Sequence, residues 1–352
     1  MAVREGSSFV SRVLVTIGLV GLAGLILYFL GQLIEVLLLI FAAVLMAVAL
    51  TGVRCIIQSR TPLSEGWSMA ATYLLLVVLL AGATVVIWPQ LAEQIPQVAD
   101  QAPKAFQQLR EMLDQAPQIE AAIDDAARTG DEDQGGGGLN LPSHALGVFS
   151  TTLGAVASVS LIALIAIYFT LSPATYVQNL LMLIPRAQRQ RAEVVMEAQT
   201  KSLRFWLLGR LASMVFVGVF AWLGLMLLGV PMAFTLGLIA GVATFIPYIG
   251  PIIGAIPALL VALLQGPMVA LYVAILYFVV ETAESNLIYP LATKKAVHLP
   301  PAYTVIIQLA GGVIAGLPGV ILATPLAVVG AVTIQLLYVE DVLGEEVEIL
   351  GS

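Results

Sequence analysis

Two acidic side chains interrupt the apolar second half of the sequence. Glu281 and Glu284 come directly after Met268–Val280, a stretch without charge. Their spacing places both on one face of a helix together with Tyr277, and Asn286 lies close by. Two carboxylates at this spacing in an apolar medium do not both ionise freely. The pair therefore suits proton coupling or cation binding, since an ionisable group inside a membrane span is a functional candidate by default.

Other interpretations of these polar residues stay open. The carboxylates could lie at the membrane–water boundary, or pair with Arg210, Lys294 or Lys295 and hold subunits together. Arg210 precedes a long charge-free run and could attract an anionic or hydroxylated substrate, or it could extend to lipid headgroups. Gln308 is a further candidate for a polar site within the apolar half.

Catalytic motifs are absent from the sequence. It has no HExxH motif, no Walker A loop and no GxSxG elbow. Cys55 is the single cysteine, and the two histidines, His144 and His298, lie too far apart in sequence for ligand spacing. The sequence thus predicts no enzyme, no cofactor and no metal site. Without a nucleotide site, transport by this chain alone would draw on an ion gradient or on the gradient of the solute.

The composition is that of a membrane protein. Hydrophobic residues make up 60% of the chain and charged residues 11%, against about 45–50% and about 25% in soluble domains. This balance excludes an ordinary soluble enzyme, a disordered tail and a nucleic-acid-binding protein. We expect an all-α polytopic membrane fold, including two broken or re-entrant helical hairpins.

Runs of apolar residues long enough to cross a bilayer, roughly 20 residues each, divide the chain. Proposed boundaries are 1–88 for three transmembrane helices, 89–145 for an acidic extracytoplasmic helical segment with a glycine-rich linker, 146–210 for a fourth span and a basic amphipathic helix, 211–340 for the transmembrane core, and 341–352 for an acidic cytoplasmic tail.

Basic residues predict the orientation, because Lys and Arg near spans mark the cytoplasmic side. The clusters at Arg4, at Arg54, at 186–210 and at Lys294 fall on one side if the spans alternate. Both termini are then cytoplasmic. The acidic segment 89–145 lies outside, where it would be a cap or gate, or would collect substrate or bind a partner.

Two stretches of the second half are alike and rich in glycine and proline. Residues 239–264 and 309–332 each run Ala-Gly, then a second Gly, then a Pro. Breaks of this kind survive in lipid only when they are buried or line a wet cavity, and paired breaks mark transporter binding sites. Close helix packing is the alternative explanation. The candidate pathway residues are Pro247, Gly250, Pro251, Pro257, Gly311, Gly312, Gly316, Gly319 and Pro325.

The second half resembles the autoinducer-2 exporter-like (AI-2E) transporter family. Three motifs carry the likeness: Ile-Pro-x-x-Gly-Pro, Glu-x-Asn-x-x-x-Pro, and a glycine-rich ending that closes on Pro. The matching residues are Pro247, Gly250 and Pro251; Glu284, Asn286 and Pro290; and Gly311, Gly312, Gly316, Gly319 and Pro325. The layout of spans, polar outer segment and basic helix agrees along the whole chain.

The resemblance implies about eight spans, a bacterial inner membrane, and export of small hydrophilic molecules such as autoinducer-2. It also implies a homo-oligomer, plausibly a pentamer. The main hypothesis is a secondary transporter that exports a small hydrophilic solute, with H⁺ or Na⁺ as a possible coupling ion. The alternatives are a Na⁺(Li⁺)/H⁺ antiporter that uses the carboxylates, and a membrane scaffold that transports nothing.

Overall fold

A computed structural model describes residues 4–82, scattered positions between 85 and 107, residues 152–288 and residues 299–345. For 4–30, 32, 80, 152–157 and 288 it describes the backbone alone. Most of the predicted acidic segment 89–145 lies outside these ranges. So do Pro290, Lys294, Lys295, His298 and residues 346–352.

The described residues are helical and contain no strand, which confirms the all-α prediction. The helices are α1 (Arg4–Arg60), α2 (Glu65–Gly82), α3 (Thr152–Leu171), α4 (Pro173–Met182), α5 (Arg189–Leu227), α6 (Ala233–Ala243), α7 (Ile249–Gln265), α8 (Pro267–Ala283) and α9 (Pro301–Ile334). A 3₁₀ turn, Arg186–Gln188, precedes α5, and π-helical turns, Glu284–Ile288 and Gln335–Glu340, follow α8 and α9.

Four helical stretches in the described ranges are long and apolar enough to cross a membrane: Leu33–Arg60, Arg186–Leu227, Pro267–Leu287 and Pro301–Glu340. The pair α3 and α4, bent by 85°, would make a fifth. The figure of about eight stays a prediction. The sequence predicted two spans on either side of Glu35, whereas α1 continues through that residue. No proline interrupts α1 there, and a glycine inside a helix costs only about 1 kcal/mol.

Helix α5 joins the two halves of the packed body. Its 39 residues extend about 58 Å at 1.5 Å per residue. The predicted basic amphipathic helix and the span after it are therefore one continuous helix. The end of α5 packs with α6, α7 and α8 around Leu225 and Leu236. Its middle packs with α1 and α9 around Trp206 and Leu322.

Helices α6 and α7 fold back on each other because glycine lets their backbones touch. A Cβ placed on Gly250 would lie 1.9 Å from the Ala243 carbonyl oxygen, and one on Gly254 would lie 2.8 Å from the Ala240 Cα. Helix α6 also packs closely on α5, where a Cβ on Gly241 would lie 2.7 Å from the Met214 carbonyl oxygen. The turn between the two helices, residues 244–248, is thereby held beside α5.

Helix α9 contains a second fold-back. Its backbone leaves helical geometry at Ala315 and Gly316, and Gly316 has φ +61°. A Cβ on Gly319 would lie 2.0 Å from the Gly311 carbonyl oxygen. In a straight helix eight residues span about 12 Å, so this contact requires the two limbs to lie side by side. Gly312 faces the second limb too, with Val320 Cγ2 2.9 Å from the position of its Cβ.

Candidate functional site

The turn between α6 and α7 carries a strained residue. Tyr248 has φ +63° and ψ −47°, a left-handed conformation that residues with a Cβ rarely adopt. The Ile249 N–H donates to the Pro247 carbonyl oxygen at 2.7 Å, which closes a three-residue γ-turn around Tyr248. Pro251 lies in the first turn of α7, where a backbone N–H would have no helical partner in any case.

The two acids at the end of α8 occupy different environments. Glu284 is buried, and its Oε1 accepts a hydrogen bond from the Ser213 hydroxyl of α5. Glu281 is half-buried, and its Oε1 has no hydrogen-bond partner among the described residues. A buried carboxylate is stable only with hydrogen bonds or a charge nearby. The hydroxyl of Ser213 supplies such a hydrogen bond to Glu284.

Arg210 brings a cation to the same place. Its guanidinium is buried on α5, and its Nη1 lies 3.5 Å from the carbonyl oxygen of Thr244, at the end of α6. The last carbonyls of a helix carry a partial negative charge, which favours a cation at this position. Arg210 therefore connects α5 with the turn that holds Tyr248.

These side chains surround a cavity of about 240 Å³. Its wall is formed by Arg210, Thr244, Pro247, Tyr248, Pro251, Glu281, Glu284 and Ser285. One cation, two carboxyl groups and three hydroxyl-bearing residues thus line a space large enough for several water molecules. This space will be called the charged cavity.

A smaller space lies on the other side of the same turn. It has a volume of about 10 Å³ and shares Arg210, Pro247 and Tyr248 with the charged cavity. The rest of its wall is Trp206 of α5, Leu299, and Thr304 and Thr324 of α9. Thr304 and Thr324 belong to the two limbs of α9, so the turn between α6 and α7 faces the inside of the second hairpin.

Gln308 lies next to this smaller space. Its side chain is 0% exposed, and its Nε2 donates to the Thr324 hydroxyl at 3.1 Å, from one limb of α9 to the other. Its Oε1 has no hydrogen-bond partner in the described part of the chain. If the amide were turned over, the nitrogen would lack a partner instead, so one end of the amide is unsatisfied in either orientation.

The structure brings some of the predicted residues together and separates others. Arg210, Glu281, Glu284, Pro247 and Pro251 line the charged cavity. Asn286 is exposed, and its Nδ2 donates to the Thr282 carbonyl oxygen of its own helix. The remaining predicted residues shape the hairpins and do not line either space: Gly250, Pro257, Gly311, Gly312, Gly316, Gly319 and Pro325.

Four residues of the site were missed at the level of sequence: Thr244, Tyr248 and Ser285, which line the charged cavity, and Ser213, which donates to Glu284. Ser213, Thr244 and Tyr248 all lie in the charge-free run that begins at Leu211. Serine and threonine are common in membrane helices as packing residues, so nothing distinguished Ser213, Thr244 and Ser285. The signal for Tyr248 was its position inside the Pro-x-x-Gly-Pro motif, which predicts an irregular turn.

The described residues hold no group of three or more His, Cys, Asp or Glu side chains placed to bind a metal ion. The charged cavity has two carboxyl groups, and its other polar groups are hydroxyls and a cation. Its arrangement favours a ligand that forms hydrogen bonds and bears a modest charge.

Comparison with known proteins adds a family match and several relatives. The family described as AI-2E family transporter matches residues 15–338. A Bacillus subtilis protein named as a candidate transport protein, YrrI, is 36% identical over 143 residues, which are 41% of this chain and 40% of that protein. A second from the same organism, YueF, is 27% identical over 53% of this chain and 52% of its own length.

A Mycobacterium tuberculosis protein with the same kind of name, MT0215, extends the comparison to more of the chain. It is 28% identical over 267 residues, which are 73% of this chain and 72% of that protein. The alignments with the two Bacillus proteins cover only about half of those proteins or less.

Proposed function

The chain belongs to the AI-2E transporter family, and from this premise we propose that it is a multi-pass membrane transporter for a small hydrophilic solute. The observation that carries the proposal is the charged cavity between α5, the turn after α6, and the end of α8. The exporting direction is part of the proposal and comes from the family resemblance. The placement in a bacterial inner membrane is likewise part of the proposal and comes from the same resemblance.

The energetics of burial support a solute path at this position. A charged residue at the centre of a bilayer costs about 2.5–3.5 kcal/mol on insertion scales. Arg210 and Glu284 are nevertheless both buried and face one space. Neutral residues could fill that space without this cost. A polar solute that crosses an apolar body needs such groups, because it loses its water on entry.

The lengths of the hairpin limbs support re-entrant segments. Helix α6 has 11 residues, about 16 Å at the usual rise. The first limb of α9, residues 301–314, has about 21 Å by the same measure. Both are shorter than the ~30 Å hydrocarbon layer. We therefore propose that each hairpin enters the membrane and turns back inside it, with its irregular turn shielded by protein.

The described basic residues support the predicted orientation. A Cβ on Gly52, near the end of α1, would lie 3.4 Å from Arg204 Nε of α5. Arg191, near the start of α5, donates from Nε to Asp341 Oδ2 at 2.9 Å, beyond the end of α9. The last turns of α1 and the segment after α9 thus each contact the basic half of α5, and we assign that half to the cytoplasmic side.

Efflux from vesicles tests the proposal. Purified protein would be reconstituted into liposomes loaded with radiolabelled erythritol or ribose as probes. We expect efflux above that of protein-free vesicles. Glu284→Gln should reduce it by about an order of magnitude, because the Ser213 hydroxyl then bonds to a neutral amide, and a hydrogen bond to a charged group is stronger by about 1–1.5 kcal/mol.

The matched control is Glu197→Gln, which removes an exposed carboxylate on the basic half of α5. Its efflux should equal that of the unmodified protein. Efflux that is the same in both variants would remove Glu284 from the mechanism. If neither probe nor any ion crossed faster than in empty vesicles, the transport proposal itself would fail.

A second candidate function is exchange of Na⁺ or Li⁺ for H⁺. The observation in its favour is that Glu281 and Glu284 both face the charged cavity, as ion coupling requires. Vesicles loaded with a pH-sensitive dye distinguish the two functions. An antiporter must release protons when Na⁺ is added, whereas a solute transporter without this coupling leaves the dye signal unchanged while the labelled probe crosses.

A further inference from the structure

The wall between the two spaces is formed by the strained turn. Tyr248 borders both the charged cavity and the smaller space. Its φ of +63° belongs to a region that a residue with a Cβ occupies at a cost. Residues held in such conformations cluster at sites where a segment switches between two states. Its side chain is 44% exposed, so the ring has room to move.

The smaller space is too narrow for a solute in this conformation. A volume of about 10 Å³ is close to the minimum that holds one water molecule. Its polar wall is nevertheless built from buried groups, since Thr304 is 3% exposed and Thr324 is 4% exposed. Thr304 Oγ1 donates to the Pro300 carbonyl oxygen at 3.3 Å, and Thr324 Oγ1 accepts from Gln308. A hydroxyl can donate once and accept twice, so each has hydrogen-bonding capacity left for a polar ligand.

The unsatisfied amide points to that ligand. A buried donor or acceptor without a hydrogen bond costs about 1–3 kcal/mol, and Gln308 has one. Its bond to Thr324 places it beside the hydroxyl that lines the space. The groups that α9 offers are an amide and two hydroxyls, all of them neutral, whereas the cation Arg210 of α5 borders both spaces. The amide and the hydroxyls match a ligand group that is itself uncharged and forms hydrogen bonds.

We infer that Gln308, Thr304 and Thr324 form an uncharged second subsite of the solute path, which Tyr248 closes off from the charged cavity. The subsite takes a neutral hydrogen-bonding part of the solute, such as a hydroxyl or an amide. The path thus has a charged half at α8 and a neutral half inside α9. This inference rests on the proposed transport function, because a subsite needs a path that leads to it.

The single natural cysteine makes a direct test of access possible. In a chain with Cys55→Ser, a new cysteine replaces Thr324 or Thr304, and the protein is placed in lipid nanodiscs. The probe is hydroxyethyl methanethiosulfonate, a small neutral reagent that carries a hydroxyl group. The control is Thr235→Cys, because Thr235 is 0% exposed and lines neither space.

We expect Thr324→Cys to react roughly tenfold faster than Thr235→Cys, because a barrier lower by about 1.4 kcal/mol gives that ratio. Adding Tyr248→Ala should raise the rate at Thr324→Cys by a similar factor. Tyr248→Phe, which keeps the ring, should not.

Equal rates at Thr324→Cys and Thr235→Cys, with and without Tyr248→Ala, would overturn the subsite. A rate that rises at both cysteines with Tyr248→Ala would also overturn it, because it would report general loosening. Labelling is independent of the efflux assay. Efflux without labelling removes the subsite alone, whereas labelling without any efflux removes the transport proposal and with it the assignment of the space to a solute path.

Side-chain replacement in the efflux assay gives a second readout. Gln308→Leu removes the amide, and Gln199→Leu removes a similar one that donates to Thr333 Oγ1 at 2.8 Å, away from both spaces. We expect the apparent KM for erythritol to rise several-fold in the first variant and to stay unchanged in the second. Equal KM values in the two variants would contradict a binding role for Gln308.

Discussion

The two hairpins have similar backbones and different chemistry. In both, a glycine after the turn contacts a backbone carbonyl before it: Gly250 meets Ala243, and Gly319 meets Gly311. In both, a proline lies in the first turn of the second limb: Pro251 directly after Gly250, and Pro318 directly before Gly319. The turns differ, because Gly316 adopts its positive φ freely while Tyr248 adopts one at a cost.

The polar side chains around the two hairpins also differ. The first faces a cation and two carboxyl groups across the charged cavity. The second encloses an amide and hydroxyls. The comparison teaches that a sequence repeat can specify a shared backbone while each copy carries its own chemistry and its own mobility. The first hairpin, whose turn contains the strained Tyr248, lies between the charged cavity and the smaller space.

The close glycine contacts should give the largest effects. Gly250→Ala and Gly319→Ala each place a methyl group about 2 Å from a backbone oxygen, which the turn cannot relieve by a rotamer change. Overpacking costs about 1–3 kcal/mol or more. We expect both variants to lose several degrees in the midpoint of thermal unfolding in detergent, measured by tryptophan fluorescence.

The control for both is Gly330→Ala. Gly330 has open space around its Cβ position and lies in the same helix as Gly319. Alanine favours the helix there by up to about 1 kcal/mol, so this variant should be as stable as the parent or slightly more so. If one of the variants Gly250→Ala and Gly319→Ala lowered the unfolding midpoint and the other did not, the two hairpins would not be alike.

Removing one polar contact from each hairpin should sharpen their chemical difference. Ser213→Ala leaves the buried Glu284 without its hydrogen-bond donor, and a bond to a charged group is worth about 1.5–3 kcal/mol. Thr324→Val removes a bond between neutral groups, which averages about 0.6 kcal/mol inside membranes. Unfolding of both variants in mixed detergent micelles measures the difference, and equal losses would contradict the charged and neutral assignments.

Exchange of the turn residues should affect the two hairpins differently. Gly316→Ala puts a Cβ at φ +61°, and strain of this kind costs about 1–3 kcal/mol. Tyr248→Gly relieves such strain, although it also removes the contacts of the ring. We expect the first to lower the unfolding midpoint by a few degrees and the second to leave it level or raise it. A marked loss in Tyr248→Gly would show that the ring is a fixed packing element.

Local sequence patterns anticipated much of the fold. The helical class, the apolar body, the irregular turns near Gly250 and Gly316, and the family all follow from composition and motifs. The boundaries of α1 and α5 did not follow. An apolar run and a basic amphipathic run can be one helix or two, and only packing along the whole length decides between them.

The site was predictable in part for a physical reason. Arg210, Glu281 and Glu284 were recognisable because charges are rare in this half of the chain and costly to bury. Asn286 does not line the charged cavity, and its side chain donates to the Thr282 carbonyl oxygen of the same helix. A spacing of two from Glu284 turns its side chain away, and the π-helical turn at that position changes the register further.

The sequence by itself determined that the chain is an apolar, helical member of its family, and it predicted breaks at two glycine- and proline-rich turns. Tertiary structure decided which polar groups meet. Ser213 and Glu284 are far apart in sequence, as are Arg210 and Thr244, and Gln308 reaches Thr324 only because α9 folds back. Such pairs depend on how whole helices rotate and slide against one another, and that is decided by packing at Gly250, Gly311 and Gly319, where backbones touch.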